Sequence, residues 1–104
     1  MTYDDWIANW RRRHPRAGGR CAQAAREMAE AFPELRVVQG RVTVPAYRGV
    51  TYVKYGPPTP ELLALPPVQA PHWWCVAPNG DVLDPSGDQF SKVFAYEPLA
   101  RAHR

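Results

Sequence analysis

The chain has 104 residues and a formal net charge of +3, with 45% of its residues hydrophobic and 12% aromatic. This length predicts one domain over residues 1–104 with a single core, and the apolar content excludes a disordered chain. No window approaches the ~20 apolar residues of a membrane span. The acidic N-terminal residues lack the apolar segment of a signal peptide. We therefore expect a cytoplasmic protein with no membrane partner.

A first helix is predicted to begin after Thr2. Thr2 and Asp5 form a capping box, in which the two side chains satisfy free backbone N–H groups at a helix start. Ile7 and Trp10 then fall on one apolar face, and Pro15 ends the helix.

Most of the excess positive charge lies between Arg11 and Arg20. One interpretation is a solvated helix end, where the helix dipole favours cations. The other is a patch that binds phosphate groups or nucleic acid. Because aromatic residues are not interleaved with these arginines, as they are in single-strand binders, we do not expect a nucleic-acid partner.

A second helix is predicted over residues 21–32, and Pro33 ends it. Its apolar residues recur at the spacing of one helical face. They are Cys21, Ala25, Met28, Ala29 and Phe32. The alanines on this face favour close packing against a sheet.

Strands follow the second helix. Val38, Val42 and Val44 share one parity, Gly40 is a candidate bulge position, and residues 50–55 form a second β-rich run. Helices followed by mostly antiparallel strands predict an α+β fold.

Residues 56–71 hold six prolines and predict an extended loop with at most one helical turn, at residues 60–64. The loop leads into His72, so we expect one of its leucines to pack on the domain and the remainder to form the rim of a cleft over Cys21. The alternative is a plain surface connection. The leucines concerned are Leu62, Leu63 and Leu65.

The chain has two cysteines, Cys21 and Cys75. In a short cytosolic chain, two cysteines seldom form a structural disulfide. No Cys-x-x-Cys is present, and the histidines do not stand at the spacing of zinc ligands. We therefore predict no metal ion and no cofactor.

Cys21, His72 and Asp84 each occupy a position that suits nucleophilic catalysis. Cys21 lies at a helix N-terminus, where free N–H groups and a partial positive charge favour a thiolate and can receive an oxyanion. The alternatives are structural: Cys21 as a small core residue, His72 as an ordinary strand residue, and Asp84 as a turn former before Pro85.

The turn over residues 78–80 decides whether His72 and Asp84 meet. A three-residue loop with the glycine at positive φ pairs Val76 with Val82 and makes His72 and Asp84 diagonal neighbours on one face. At that distance a carboxylate can orient an imidazole. A two-residue Asn-Gly turn would place them on opposite faces. The proline before the Asn-Gly pair favours the first register.

Of the residues near His72 and Asp84, some are candidates for the site and others are predicted to belong to the core. Trp74 shares the face of His72 and is a candidate substrate-binding residue, whereas Trp73 on the other face is predicted to be core. Gln89 either packs over the hairpin or contacts the substrate. Cys75 points away from His72 in either register and is predicted to be a core residue.

Three short motifs resemble the papain-like superfamily of cysteine hydrolases and transferases, most closely its transglutaminase-like branch. They are Gly19-Arg20-Cys21 at the start of an alanine-rich helix, His72-Trp73-Trp74 on a strand, and Asp84-Pro85 after the next strand. Arylamine N-acetyltransferases share the same Cys, His, Asp order. The resemblance implies a papain-like minimal core, in which the nucleophile helix packs on an antiparallel sheet.

The resemblance also implies roles: Cys21 as nucleophile, His72 as base and later acid, and Asp84 as the residue that orients His72. Papain relatives often carry an oxyanion-hole glutamine before the cysteine. Pro15 occupies that place here, which leaves the backbone N–H of Cys21 as a donor. The implied function is thiol-dependent acyl chemistry: hydrolysis of a peptide, isopeptide or amide bond, deamidation, or amine acyl transfer. The substrate would be a peptide or protein, or a small amide or thioester.

The alternative function is that of a non-catalytic binding or inhibitory module with the same core. Cys21, His72 and Asp84 would then be structural, and the basic residues between Arg11 and Arg20 would contact the partner. A thiol reagent at mildly acidic pH separates the two, since only a His-paired thiolate reacts quickly there.

Overall fold

The computed structural model describes residues 1–15, 19–46, 59–90 and 92–99. The helices are α1 (Tyr3–Arg13), α2 (Cys21–Ala31) and the single turn α3 (Pro60–Leu63). The strands are β1 (Arg36–Val44), β2 (Val68–Val76), β3 (Val82–Leu83) and β4 (Ala95–Pro98), and a 3-10 turn spans Gly87–Gln89. No helix in the described ranges is long and apolar enough to cross a bilayer.

The four strands form one antiparallel sheet in the order β3-β2-β1-β4. Two helices pack with this sheet, which confirms the predicted α+β class. The strand predicted over residues 50–55 lies outside the described residues.

Helix α1 begins at the predicted cap. The Thr2 hydroxyl accepts a hydrogen bond from the backbone N–H of Asp5 at 3.0 Å. The helix ends at Arg13, two residues before Pro15, and the N–H of His14 bonds the Trp10 carbonyl at 3.0 Å. Both ends therefore follow from local sequence signals.

The sheet has an apolar cluster on each face, because successive side chains of a strand point to opposite sides. The cluster between α2 and the sheet contains Ala25, Met28, Leu35, Cys75 and Ala77, with Trp73 packed against it. The other cluster contains Val42, Val44, Ala70, Trp74 and Phe90. Trp73 and Cys75 therefore belong to the core beneath α2, as predicted.

The β2–β3 hairpin has the predicted register. Val76 pairs with Val82, the N–H of Ala77 bonds the Asp81 carbonyl at 2.9 Å, and Gly80 has a φ of 92°. A left-handed residue at the end of the loop is what a three-residue turn requires, and glycine adopts it without strain.

One detail of the strands differs from expectation. Gly40 pairs directly with His72 in an unbroken β1–β2 register, so it is not a bulge. Strand β3 ends at Leu83, two residues before Pro85, which has no N–H for the ladder and whose carbonyl accepts from Arg11 at 3.0 Å.

The segment before β2 contributes little to the core among its described side chains. Leu63 and Leu65 are 58% and 51% exposed, so neither of them packs on the domain as one of the predicted anchors. The side chain of Leu62, the third candidate, lies outside the described part of the chain.

Candidate active site

His72 and Asp84 form a buried pair. His72 Nε2 lies 2.9 Å from each carboxylate oxygen of Asp84, and the two residues are 1% and 8% exposed. His72 lies in the middle of β2, and Asp84 follows the last residue of β3. The hairpin register therefore joins the two residues that the turn sequence predicted as diagonal neighbours.

This pairing distinguishes the two nitrogens of the His72 ring. A carboxylate only accepts hydrogen bonds, so Nε2 carries the hydrogen that Asp84 receives. In the neutral ring Nδ1 is then the acceptor. The side-chain amide nitrogen of Gln89 lies 3.5 Å from Nδ1 and donates to it, so Gln89 is the partner of the second ring nitrogen.

Tyr96 supplies a second donor to Asp84. Its hydroxyl donates to Oδ2 at 2.9 Å from strand β4. Burial, followed by the negative charge of Asp84, raises the pKa of the phenol, so Tyr96 remains protonated and donating. No local sequence pattern predicts this contact, because it depends on the pairing of Tyr96 with Val42 across β1 and β4.

Arg11 fixes the backbone of the turn that carries Asp84. Its Nη2 and Nε donate to the carbonyls of Asp84 and Pro85 at 2.9 and 3.0 Å. Its Nε also lies 3.7 Å from a carboxylate oxygen of Asp88. Arg11 therefore bonds the backbone of this turn. The net charge of the sequence did not indicate this role.

Aromatic side chains enclose the His72 ring. Trp74 lies nearly parallel to it at 6.2 Å between centroids, and Phe90 meets it edge-on at 5.2 Å. Trp74 also contacts Tyr96 edge-on at 5.0 Å. Trp74 shares the face of His72 and is 1% exposed, as part of the core cluster with Phe90. Its contact with a substrate stays a prediction.

Cys21 opens α2 and carries a free, half-buried thiol. The N-cap residue Arg20 makes no side-chain hydrogen bond to the first turn, so no side-chain cap covers these N–H groups. In the described ranges the hydrogen bonds of the His72 ring go to Asp84 and Gln89, and none joins it to Cys21. The meeting of Cys21 and His72 remains a prediction.

The position of α2 relative to β2 bears on that prediction. α2 packs on the face of β2 that carries Cys75, whose thiol donates to the Ala25 carbonyl at 3.2 Å. His72 belongs to the opposite face. The core-facing side of α2 and the His72 ring therefore lie on opposite faces of β2.

Cys75 does not compete for the role of nucleophile. It is 0% exposed. Burial, followed by the charge of Asp84, raises the pKa of its thiol to about 11. A buried, protonated thiol is inert at neutral pH.

Ser86 is the one polar side chain of the described part that is buried without a hydrogen-bond partner, at its Oγ. In the same described ranges, no three His, Cys, Asp or Glu side chains stand close enough together to hold a metal ion.

Comparison with known proteins gave no match: no family model, no curated protein and no solved structure matches the chain. Evidence for a function therefore comes from the residues and contacts of the site.

Proposed function

We propose that the protein carries out thiol-dependent acyl chemistry, with Cys21 as nucleophile, His72 as general base and acid, and Asp84 as the residue that orients His72. The observation that supports this most is the buried His72–Asp84 pair, with Nε2 2.9 Å from both carboxylate oxygens. It holds the ring with Nδ1 as the acceptor nitrogen, the form that a general base requires.

The choice of nucleophile rests on a contrast between the two thiols. Cys21 is half-buried, hence partly accessible, and lies in the first turn of a helix, where N–H groups stabilise a thiolate. Cys75 is fully buried and bonded to the Ala25 carbonyl. A substrate can therefore reach only the first of these thiols.

The proposed chemical steps are those of acyl transfer through a thiol. His72 Nδ1 takes the thiol proton, and the Cys21 sulfur attacks the carbonyl carbon of an amide or thioester. The backbone N–H of Cys21 donates to the oxyanion that forms. The C–N or C–S bond of the substrate then breaks, the leaving group takes the proton from His72, and an acyl-enzyme remains. Water or an amine, deprotonated by His72, attacks the thioester and releases the acyl product and the thiol.

The acyl donor belongs to one of a few classes. The resemblance of the motifs around Cys21, His72 and Asp84 to the papain-like superfamily supports a peptide or protein substrate, or a small amide or thioester, with no cofactor. Hydrolysis, deamidation and amine acyl transfer share every step up to the resolving nucleophile. The substrate-binding residues of the proposal are Gln89, whose amide lies 3.5 Å from Nδ1, and Trp74, which lies beside the His72 ring.

A non-catalytic binding module is the second candidate. In its favour, three basic side chains are exposed: Arg12 and Arg13 at the end of α1, and Arg20 just before α2. Against it, the Arg11 side chain donates to the carbonyls of Asp84 and Pro85 and therefore does not extend towards a partner.

The test is alkylation of the folded chain by iodoacetamide at pH 6, with mass spectrometry to locate the label. The proposal predicts that Cys21 reacts at least about tenfold faster than a free thiol such as glutathione, because His72 would act as the base that takes the thiol proton. Cys75 should stay unlabelled and serves as the internal control. His72→Gln should return Cys21 to the rate of a free thiol.

Two results would overturn the proposal. One is a Cys21 rate in the wild type no higher than that of glutathione. The other is a fast rate that His72→Gln leaves unchanged, which would mean that the helix start alone activates the thiol. Folding of each variant is checked by circular dichroism and by its urea midpoint.

A further inference from the structure

The Asp84 side chain needs contacts to define its orientation. Rotation of a carboxylate about χ2 is broad and poorly restricted by its own geometry. Arg11 and the N–H of Gly87 bond the Asp84 carbonyl, at 2.9 and 3.1 Å, but these contacts fix only the backbone. The orientation of the carboxylate itself depends on its two side-chain donors, His72 and Tyr96.

Tyr96 is itself held firmly. It lies on β4, where the N–H of Phe94 bonds the Thr43 carbonyl at 2.8 Å and the N–H of Leu99 bonds the Gln39 carbonyl at 3.0 Å. Its ring meets the Trp74 ring edge-on. Because these contacts hold the Tyr96 ring in place, its hydroxyl is well suited to fix the position of the Asp84 carboxylate.

The hydrogen bond from Tyr96 also stabilises the charge of Asp84. Asp84 is buried, and each buried oxygen of a carboxylate needs donors. Oδ2 accepts a hydrogen bond from the Tyr96 hydroxyl, and Oδ1 and Oδ2 share the hydrogen on His72 Nε2. Removal of the Tyr96 hydroxyl would leave Oδ2 short of a donor, and the carboxylate would be free to rotate. Rotation weakens its hydrogen bonds with His72 Nε2–H.

We propose that Tyr96 is a positioning residue for the site: its hydroxyl fixes the Asp84 carboxylate so that His72 keeps its hydrogen on Nε2 and presents Nδ1 to the nucleophile. This inference rests on the function proposed above. It assigns a role to β4, the strand that lies at the far edge of the sheet from β3.

The test compares Tyr96→Phe with Tyr3→Phe. Both remove one hydroxyl and keep the ring, and the Tyr3 hydroxyl bonds the exposed carboxylate of Glu34, away from the site. Two properties are measured in each variant: the pH profile of Cys21 alkylation, and the proton resonance of His72 Nε2–H by NMR. The contact of Tyr96 with Trp74 survives the change to phenylalanine, so the variant should fold.

Tyr96→Phe should lower the alkylation rate at pH 6 by about tenfold, the loss expected from one hydrogen bond to a charged group. It should also broaden the Nε2–H resonance, because the proton exchanges faster with water. Tyr3→Phe should leave both properties unchanged. Unchanged alkylation and an unchanged resonance in Tyr96→Phe would overturn the inference.

The two readouts separate this inference from the function on which it rests. Slow alkylation of wild-type Cys21 would refute the thiol chemistry. The Nε2–H resonance would still show whether Tyr96 positions Asp84, since it reports the His72–Asp84 contact without any reaction. A resonance unchanged by Tyr96→Phe would then overturn the role of Tyr96 as well.

Discussion

Gly40 pairs with His72 across β1 and β2, and the space beside its Cα is filled by other parts of the chain. A Cβ at this position would lie 2.1 Å from the Glu97 carbonyl oxygen and 2.6 Å from Cη2 of Trp74. The missing side chain therefore allows β4 and the Trp74 ring to approach each other. The same approach brings Tyr96 to Asp84.

Gly40→Ala should destabilise the fold by about 1–3 kcal/mol, because an added methyl group forces backbone and ring apart. The measurement is urea unfolding, and Gln39→Ala, an exposed neighbour on the same strand, is the control and should change the free energy of unfolding by less than about 0.5 kcal/mol. Equal stability of the Gly40→Ala and wild-type chains would contradict the packing described for Trp74.

Asp84→Asn should slow Cys21 alkylation at pH 6 by about 10- to 100-fold while the chain stays folded, because the amide nitrogen can donate to Nε2 and favour the wrong tautomer. The control is Asp88→Asn, the exposed carboxylate near Arg11, which should react like the wild type. Wild-type reactivity in Asp84→Asn would refute the orienting role of the carboxylate.

Arg11→Met should cost about 1–3 kcal/mol of stability, since the carbonyls of Asp84 and Pro85 lose charged donors. Arg12→Met, an exposed residue one position along α1, should change the free energy of unfolding by less than about 0.5 kcal/mol. Similar losses in the two variants would mean that Arg11 acts only as surface charge.

Stability should fall as the pH rises from 9 towards 11. The pKa of the Cys75 thiol is raised in the folded chain from an ordinary value of 9.0 to about 11, with burial as the main cause. The unfolded chain therefore loses this proton first, and its ionisation favours unfolding until the folded thiol titrates too. Cys75→Ala should flatten this decline when both chains carry Cys21→Ala, so that only one thiol differs. An equally steep decline in both chains would contradict the assignment.

The hairpin that joins His72 to Asp84 was predictable because its determinants are local. The turn residues fix the register, and strand parity then fixes the face. The start and end of α1 follow from Thr2 and Pro15 in the same way.

The contacts of Arg11 and Tyr96 with Asp84 were not predictable, since they join elements that are distant in the chain. Arg11 is 73 residues from Asp84, and Tyr96 meets it only through the pairing of β4 with β1. Gly40 was interpreted wrongly because a glycine in a strand marks either a bulge or a close approach of other atoms, and single-strand patterns do not separate the two.

The distance from Cys21 Sγ to His72 Nδ1 in a crystal structure of the reduced protein tests the catalytic proposal most directly. The proposal predicts a separation within about 4 Å, the range of a thiol and its base before substrate binds. An ordered structure in which the two atoms lie more than about 8 Å apart would contradict it.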